Sequence, residues 1–222
     1  MRFLRNQFEG SPARVRALPF IVFLALTFAQ GEFGDVSRYW FYLAKTLVGA
    51  WMLLEMRPFV PEMRWACSWE AVAVGLGVFV MWIGIDGFYP HVGDAATSWH
   101  PWADFGTAPG RAWLFIVIRT LGSTLVVPPL EEVFYRSFLY RYFVRTDFEA
   151  MPLSRFHPTS FIVTSVLFGF EHSQWLAGIL CGLAFQWLVI RKNRLGDAIT
   201  AHAITNLILG IWVVWRGAWQ FW

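Results

Sequence analysis

The sequence predicts an all-α, polytopic membrane bundle of about seven or eight helices, and three observations predict it. Of its 222 residues, 57% are hydrophobic and 15% charged, where soluble domains run near about 45–50% and about 25%. Fourteen tryptophans suit a chain that meets two membrane–water interfaces, where Trp collects. The apolar residues also fall into seven runs near the length of a spanning helix, about 17–25 residues. The net charge of +3 comes from dispersed Lys and Arg, so no nucleic-acid partner is expected. Cys67 and Cys181 imply neither a disulfide framework nor metal-ligand spacing. Cys181 reads as a small packing residue.

The first run, 17–31, follows Arg2, Arg5, Arg14 and Arg16. That resembles the charged start of a signal peptide, but no small-residue cleavage site follows Gln30, so it reads as a retained helix. Runs 38–56, 69–87 and 111–128 come next. Pro128 and Pro129 then predict a break, because proline starts helices well and interrupts them badly. An amphipathic helix over about 130–145 follows, then runs 158–172, 173–191 and 195–215. Gly178 and Gly182 are spaced for close helix packing. No repeat, low-complexity tract or second domain is visible, so residues 1–222 read as a single integral-membrane domain.

Loop Lys and Arg set orientation. A cytoplasmic N-terminus puts Arg57, Arg64, Arg141, Arg145, Arg155, Arg191, Lys192 and Arg194 inside, and only Arg38, Arg111 and Arg216 near the outer side. This requires 111–145 to make one net crossing, bent at the prolines. The outer loop 87–110 then carries Asp86, Asp94 and Asp104 at or near its ends. Its Trp99, His100, Pro101 and Trp102 are expected to lie flat on the interface. The loop is either a surface connector or a lid, since long loops often carry function.

Six charges are hard to place in water: Lys45, Arg119, Glu131, Glu132, Arg136 and Glu171. Intramembrane ionisable groups cost about 2.5–3.5 kcal/mol each on insertion scales and mark function by default. Lys45 either snorkels or pairs internally, and Arg119 is expected to pair with an outer-loop carboxylate. The stretch "VVPPLEEVFYR", 126–136, differs. On a helix starting near Pro129, Glu132 and Arg136 are four apart and share a face, where they can form a charge-assisted pair. Glu131 is turned about 100° away and left in a low-dielectric setting, which makes it a candidate general base. A fully paired cluster with no chemistry fits this motif equally well.

Two more stretches favour the site. "LFGFEHSQW" places Phe168 and His172 at i and i+4, and "ITAHAITNL" does the same for His202 and Asn206 in an apolar helix. Such groups face a cavity or each other, never lipid. Counted along their helices, Glu131, His172 and His202 reach similar depths. Glu171 either orients His172 or faces another helix, the second being preferred.

In order, the three elements resemble the motif set of the type II CAAX prenyl protease (CPBP/Abi) family of intramembrane proteases: E-E-x-x-x-R, F-x-x-x-H and H-x-x-x-N on successive membrane helices. They read here as Glu131-Glu132 to Arg136, Phe168 to His172, and His202 to Asn206. The likeness covers about 111–210. It implies a bundle around a polar intramembrane cavity and hydrolysis of a peptide bond in a membrane-associated protein or peptide. Glu131, aided by His172, activates a water on this reading. Glu132 and Arg136 position that helix, His202 and Asn206 donate to the oxyanion, and Phe168 supports the substrate site. Two His and a Glu are also a zinc set. No H-E-x-x-H helix occurs and Asn is a poor zinc ligand, so no metal or other cofactor is expected, with zinc as the alternative. A non-enzymatic immunity or scaffold protein remains a second class. A transporter is disfavoured because the carboxylates gather at one level rather than forming a chain across the membrane. The expected setting is a prokaryotic inner membrane.

Overall fold

A computed structural model describes residues 7–30, 33–34, 36–92 and 99–222. Arg2, Arg5 and Asp94 lie outside the described residues. Within them, the regular elements are helical.

Helix α1, Pro12–Phe28, begins with proline at its first turn and with the Ser11 side chain accepting from the Arg14 N–H, a standard N-terminal cap. Helix α2 is Ser37–Met56. Helix α3, Trp69–Gly84, is capped by Ser68. A short α4, Pro101–Asp104, precedes the long α5, Pro109–Tyr142. Helix α6, Pro158–Gly169, is capped by the His157 ring accepting from the Ser160 N–H. Helix α7, Trp175–Lys192, ends at Asn193 in the left-handed region, φ 50°. Helix α8, Gly196–Arg216, ends likewise at Gly217, φ 65°. Both are left-handed helix stops, a conformation that Gly and Asn tolerate best.

The predicted break at Pro128–Pro129 is absent. Instead α5 runs through the prolines, widened to π-helical turns at Gly122–Val126 and Val133–Leu139 on either side of Val127–Glu132. The Val127 N–H bonds to the Gly122 carbonyl, five residues back. The next carbonyl, Ser123, would look to residue 128 in that register, and Pro128 has no N–H to give. Asn206 of α8 supplies the donor, its Nδ2 lying 2.8 Å from the Ser123 oxygen. A tertiary contact therefore satisfies what proline removes, and the helix continues. π-turns of this kind recur at functional sites.

Helix α5 touches α1, α2, α6 and α8; α7 packs chiefly on α6, and α8 on α3. The Gly178 and Gly182 expectation holds: a Cβ on Gly178 would lie 2.9 Å from the Gly169 Cα, and one on Gly182 3.0 Å from the Ser165 Cα. Three helices, α5, α7 and α8, are long and apolar enough to cross a membrane by length and composition, while α3 and α6 are shorter apolar helices. At about 1.5 Å per residue, α5 runs about 50 Å, beyond the roughly 30 Å of a hydrocarbon core.

One end of α5 is clasped to α1. Arg16 Nη2 lies 2.8 Å and Arg141 Nη2 3.3 Å from Glu62 Oε1, and the Ser137 hydroxyl donates to the same oxygen. Burial alone would push the Glu62 carboxyl up. The hydrogen bond and charge of Arg16, with the Ser137 hydroxyl, outweigh it and hold the group below the usual carboxylate range. Two otherwise costly buried arginines thus share one anion.

The 87–110 segment departs from expectation. Trp99 does not lie flat on an interface. It is buried against Tyr39, 4.4 Å between ring centroids, and Tyr42, 5.2 Å. Arg119 finds no outer-loop carboxylate among the described residues. Its guanidinium sits instead 4.5 Å from the Trp99 ring centroid, with Tyr42 and Trp222 on other sides. Aromatic faces can accept a cation where a carboxylate would bring a second desolvation cost.

Candidate active site

The inward face of α5 meets α1, α2, α3, α6 and α8 around a cavity of about 290 Å³. Glu131, Phe168, His172, His202 and Asn206 all line it. Glu132 and Arg136 do not. They sit fully buried behind it, Arg136 Nε 3.2 Å from Glu132 Oε2, an ion pair without hydrogen-bond alignment. The Arg136 guanidinium also rests 4.6 Å from the Phe168 ring centroid, so Phe168 links the first motif to the second.

The two glutamates divide as their helical phase requires. Glu132 faces back into the bundle. Its Oε1 lies 3.1 Å from His202 Nδ1. Glu131 faces the cavity, 8% exposed, and among the described residues its Oε2 makes no hydrogen bond. His202 Nε2 lies 3.9 Å from that oxygen, so the imidazole stands between the two carboxylates, anchored by one and facing the other.

The second motif is built differently from the expected helix over 158–172. Helix α6 ends at Gly169, and His172 lies in the turn before α7. The cause is local. Helix ends leave carbonyls without partners. The His172 N–H bonds back to the Gly169 carbonyl, and its Nδ1 sits 3.0 Å from the Phe168 oxygen. If Nδ1 carries the proton, the Phe168 carbonyl holds the ring with the Nε2 lone pair free. Trp82 packs edge-on against the ring, 5.3 Å between centroids.

In the third motif, one Asn206 N–H is taken by the Ser123 carbonyl. The amide carries two, and Asn206 lines the cavity.

Further residues in the wall were not identified as site residues from the sequence, Glu171, Lys45, Tyr42, Arg119 and Cys181 among them. Glu171, expected to face another helix, lines the cavity, with Tyr135 as its neighbour. The i+4 spacing of Tyr135 from Glu131 could have signalled this. Lys45, Tyr42 and Arg119 line another part of the wall. Of the two expectations for Lys45, internal pairing holds: its Nζ donates to Thr27 Oγ1 at 3.0 Å and sits over the Phe23 and Tyr42 rings. Cys181 is buried and also borders the cavity. Among the described residues, no three His, Cys, Asp or Glu side chains converge at metal-binding spacing.

Glu132 holds both Arg136 and His202, so its loss should be felt twice. Glu132→Ala is expected to lower stability by about 3–5 kcal/mol by leaving Arg136 buried without its anion. A thermal unfolding curve in nanodiscs checks this. An unchanged melting temperature would mean that the aromatic faces suffice to hold Arg136.

Residues 112–208 match the family model described as type II CAAX prenyl endopeptidase Rce1-like. The matched segment contains all three motifs, from Glu131 in α5 to Asn206 in α8. No curated protein and no solved structure gives a match to the chain.

Proposed function

We propose, on the premise that the motif-bearing segment is of the type II CAAX prenyl endopeptidase kind, that this protein is an intramembrane endopeptidase using a glutamate-activated water. One observation carries the reading: Glu131, His172, His202 and Asn206, from three separate motifs, line a single cavity. Its substrate is a membrane-associated protein or peptide, presented from the surrounding bilayer. The N-terminus is placed in the cytoplasm on the distribution of loop arginines.

Glu131 takes a proton from a water in the cavity, with His172 Nε2 as the second acceptor that orients it. The water oxygen attacks the scissile carbonyl, forming a C–O bond and a tetrahedral oxyanion. The free N–H of Asn206 donates to that oxyanion. His202, its Nδ1 held by Glu132, turns Nε2 toward the same oxyanion. The C–N bond then breaks, and the proton held by Glu131 passes to the leaving amine. The products are a carboxylic acid and an amine, and the acid then gives up its proton to the amine. Glu132 and Arg136 touch no substrate atom and act by positioning α5 and His202. Donors aimed at developing charge in a dry site are worth more than in water, and no serine or cysteine in a motif is set beside a base for an acyl-enzyme route.

Substrate trapping tests the reading. A Glu131→Gln variant should retain a peptide that wild type releases cut. Retention of the same intact peptide by both forms would contradict it.

Metal-free activation is preferred to zinc because Asn206 is a poor ligand. Activity should survive exhaustive chelation, with no stoichiometric metal in the purified protein. One zinc per chain, with activity restored only by its return, would turn Glu131, His172 and His202 into ligands.

A further inference from the structure

Behind the turn that carries Glu131, α5 borders a second cavity. Ser123, Val127 and Glu131, four apart, face the candidate active site. Leu125 and Pro129 are two residues out of step with them, about 200° round the helix, and line a separate space of about 710 Å³. The two cavities share no lining residue. The facing wall is the C-terminal end of α2 and the segment after it, with Leu54, Arg57, Arg64 and Trp65.

This wall is divided by chemistry. Leu54, Leu125 and Trp65 are exposed, an apolar surface fitted to hydrocarbon rather than water. Arg57 caps the C-terminal end of α2, and both it and Arg64 are exposed. No acidic residue lines the cavity among the described residues. Glu62 lies between the two arginines in sequence, but Arg16 and Arg141 already share it. Among the described residues, neither Arg57 nor Arg64 makes an ion pair. Two uncommitted guanidinium groups over an apolar wall match one kind of molecule, with a phosphate at one end and hydrocarbon at the other. The planar fork of arginine accepts a phosphate through paired N–H donors, and Trp65 is of the residue type that settles where headgroups meet hydrocarbon.

We propose that this cavity binds an anionic phospholipid of the surrounding bilayer, its phosphate held by Arg57 and Arg64 and an acyl chain laid along Leu54, Leu125 and Pro129. A soluble phosphate ester would leave the apolar wall uncovered. A second copy of the chain would bring the same two cations against this face. The volume lies within the roughly 300–1,000 Å³ of small-ligand sites, room for a headgroup and the first part of a chain. On the proposed orientation both arginines lie on the cytoplasmic side, where the leaflet carries anionic lipid and basic pockets between helices take up its headgroups. The lipid site is independent of the peptidase reading, since none of its residues belongs to the three motifs.

The test is native mass spectrometry of the full-length protein released from detergent micelles. The probes are dioleoylphosphatidylglycerol, dioleoylphosphatidylcholine and glycerol 3-phosphate, which has the phosphate and no chains. Wild type should retain one phosphatidylglycerol per chain, at least about tenfold more tightly than phosphatidylcholine, the difference one charge-assisted contact makes, and should retain no glycerol 3-phosphate. Arg57→Gln and Arg64→Gln should each lose most of that preference. Arg145→Gln should keep it, because Arg145 is an exposed arginine outside this cavity, paired with Asp147. Equal retention of the two lipids by wild type, a preference that survives when Arg57 and Arg64 are both replaced, or an equal loss in Arg145→Gln would overturn the site. Retention of glycerol 3-phosphate as tight as that of phosphatidylglycerol would make it a soluble-phosphate site and overturn the lipid. A dimer that forms without lipid and is abolished by Arg57→Gln and Arg64→Gln would make the occupant a second copy of the chain, and would overturn it too.

Discussion

Glu131→Gln is expected to abolish peptide hydrolysis, a loss of about 10²–10⁴-fold for the general base, in a protein that remains folded in the membrane. The side chain keeps its size and loses only its ability to take the proton. Glu131 Oε2 makes no hydrogen bond among the described residues, so the substitution leaves no protein partner stranded and the melting temperature should stay near that of wild type. Its neighbour behaves otherwise. Glu132→Ala strands Arg136 and frees His202, so it should lose activity and stability together. Turnover and melting temperature measured on both variants decide the matter. Equal losses of activity with unchanged stability in both would contradict the division of labour between the two carboxylates.

The second large effect is expected at Asn206. As an oxyanion donor it matters mainly in the transition state. Asn206→Ala should therefore lose about 10²–10³ in turnover with little change in substrate affinity. Asn206→Asp should lose more, because it turns a carboxylate toward the developing negative charge. Both also remove the donor to the Ser123 carbonyl, so a modest fall in melting temperature, of the order of one hydrogen bond at about 1 kcal/mol, accompanies either. A purely structural Asn206 predicts the same fall with normal turnover in the folded fraction. Normal turnover in folded Asn206→Asp would remove this motif from the chemistry.

Much of this was legible in the residues. The apolar runs mark the helices to within a few residues at most ends, because burial in lipid or bundle is what those runs are for. The three motifs converge because each places polar groups where only a cavity can receive them. What was not legible depends on partners distant in sequence. Whether Pro128 breaks α5 is decided by Asn206, 83 residues from the Ser123 carbonyl it satisfies, and local propensity carries no trace of it. Trp99 was assigned to the interface on its residue type, yet Tyr39 and Tyr42 provide a buried niche. The expectation for Glu171, facing another helix, presumes a helix over 158–172, and that helix stops at Gly169. Once the chain leaves helical geometry, i+1 no longer means 100° of rotation.

Labelled water offers the most direct test of water-mediated peptide hydrolysis in this cavity. Membranes holding wild type or Glu131→Gln would be incubated in water enriched in oxygen-18, and the newly formed peptide C-termini sequenced by mass spectrometry. New C-terminal carboxylates carrying one heavy oxygen, present with wild type and missing with Glu131→Gln, are the predicted result. The same set of termini with both proteins would contradict it.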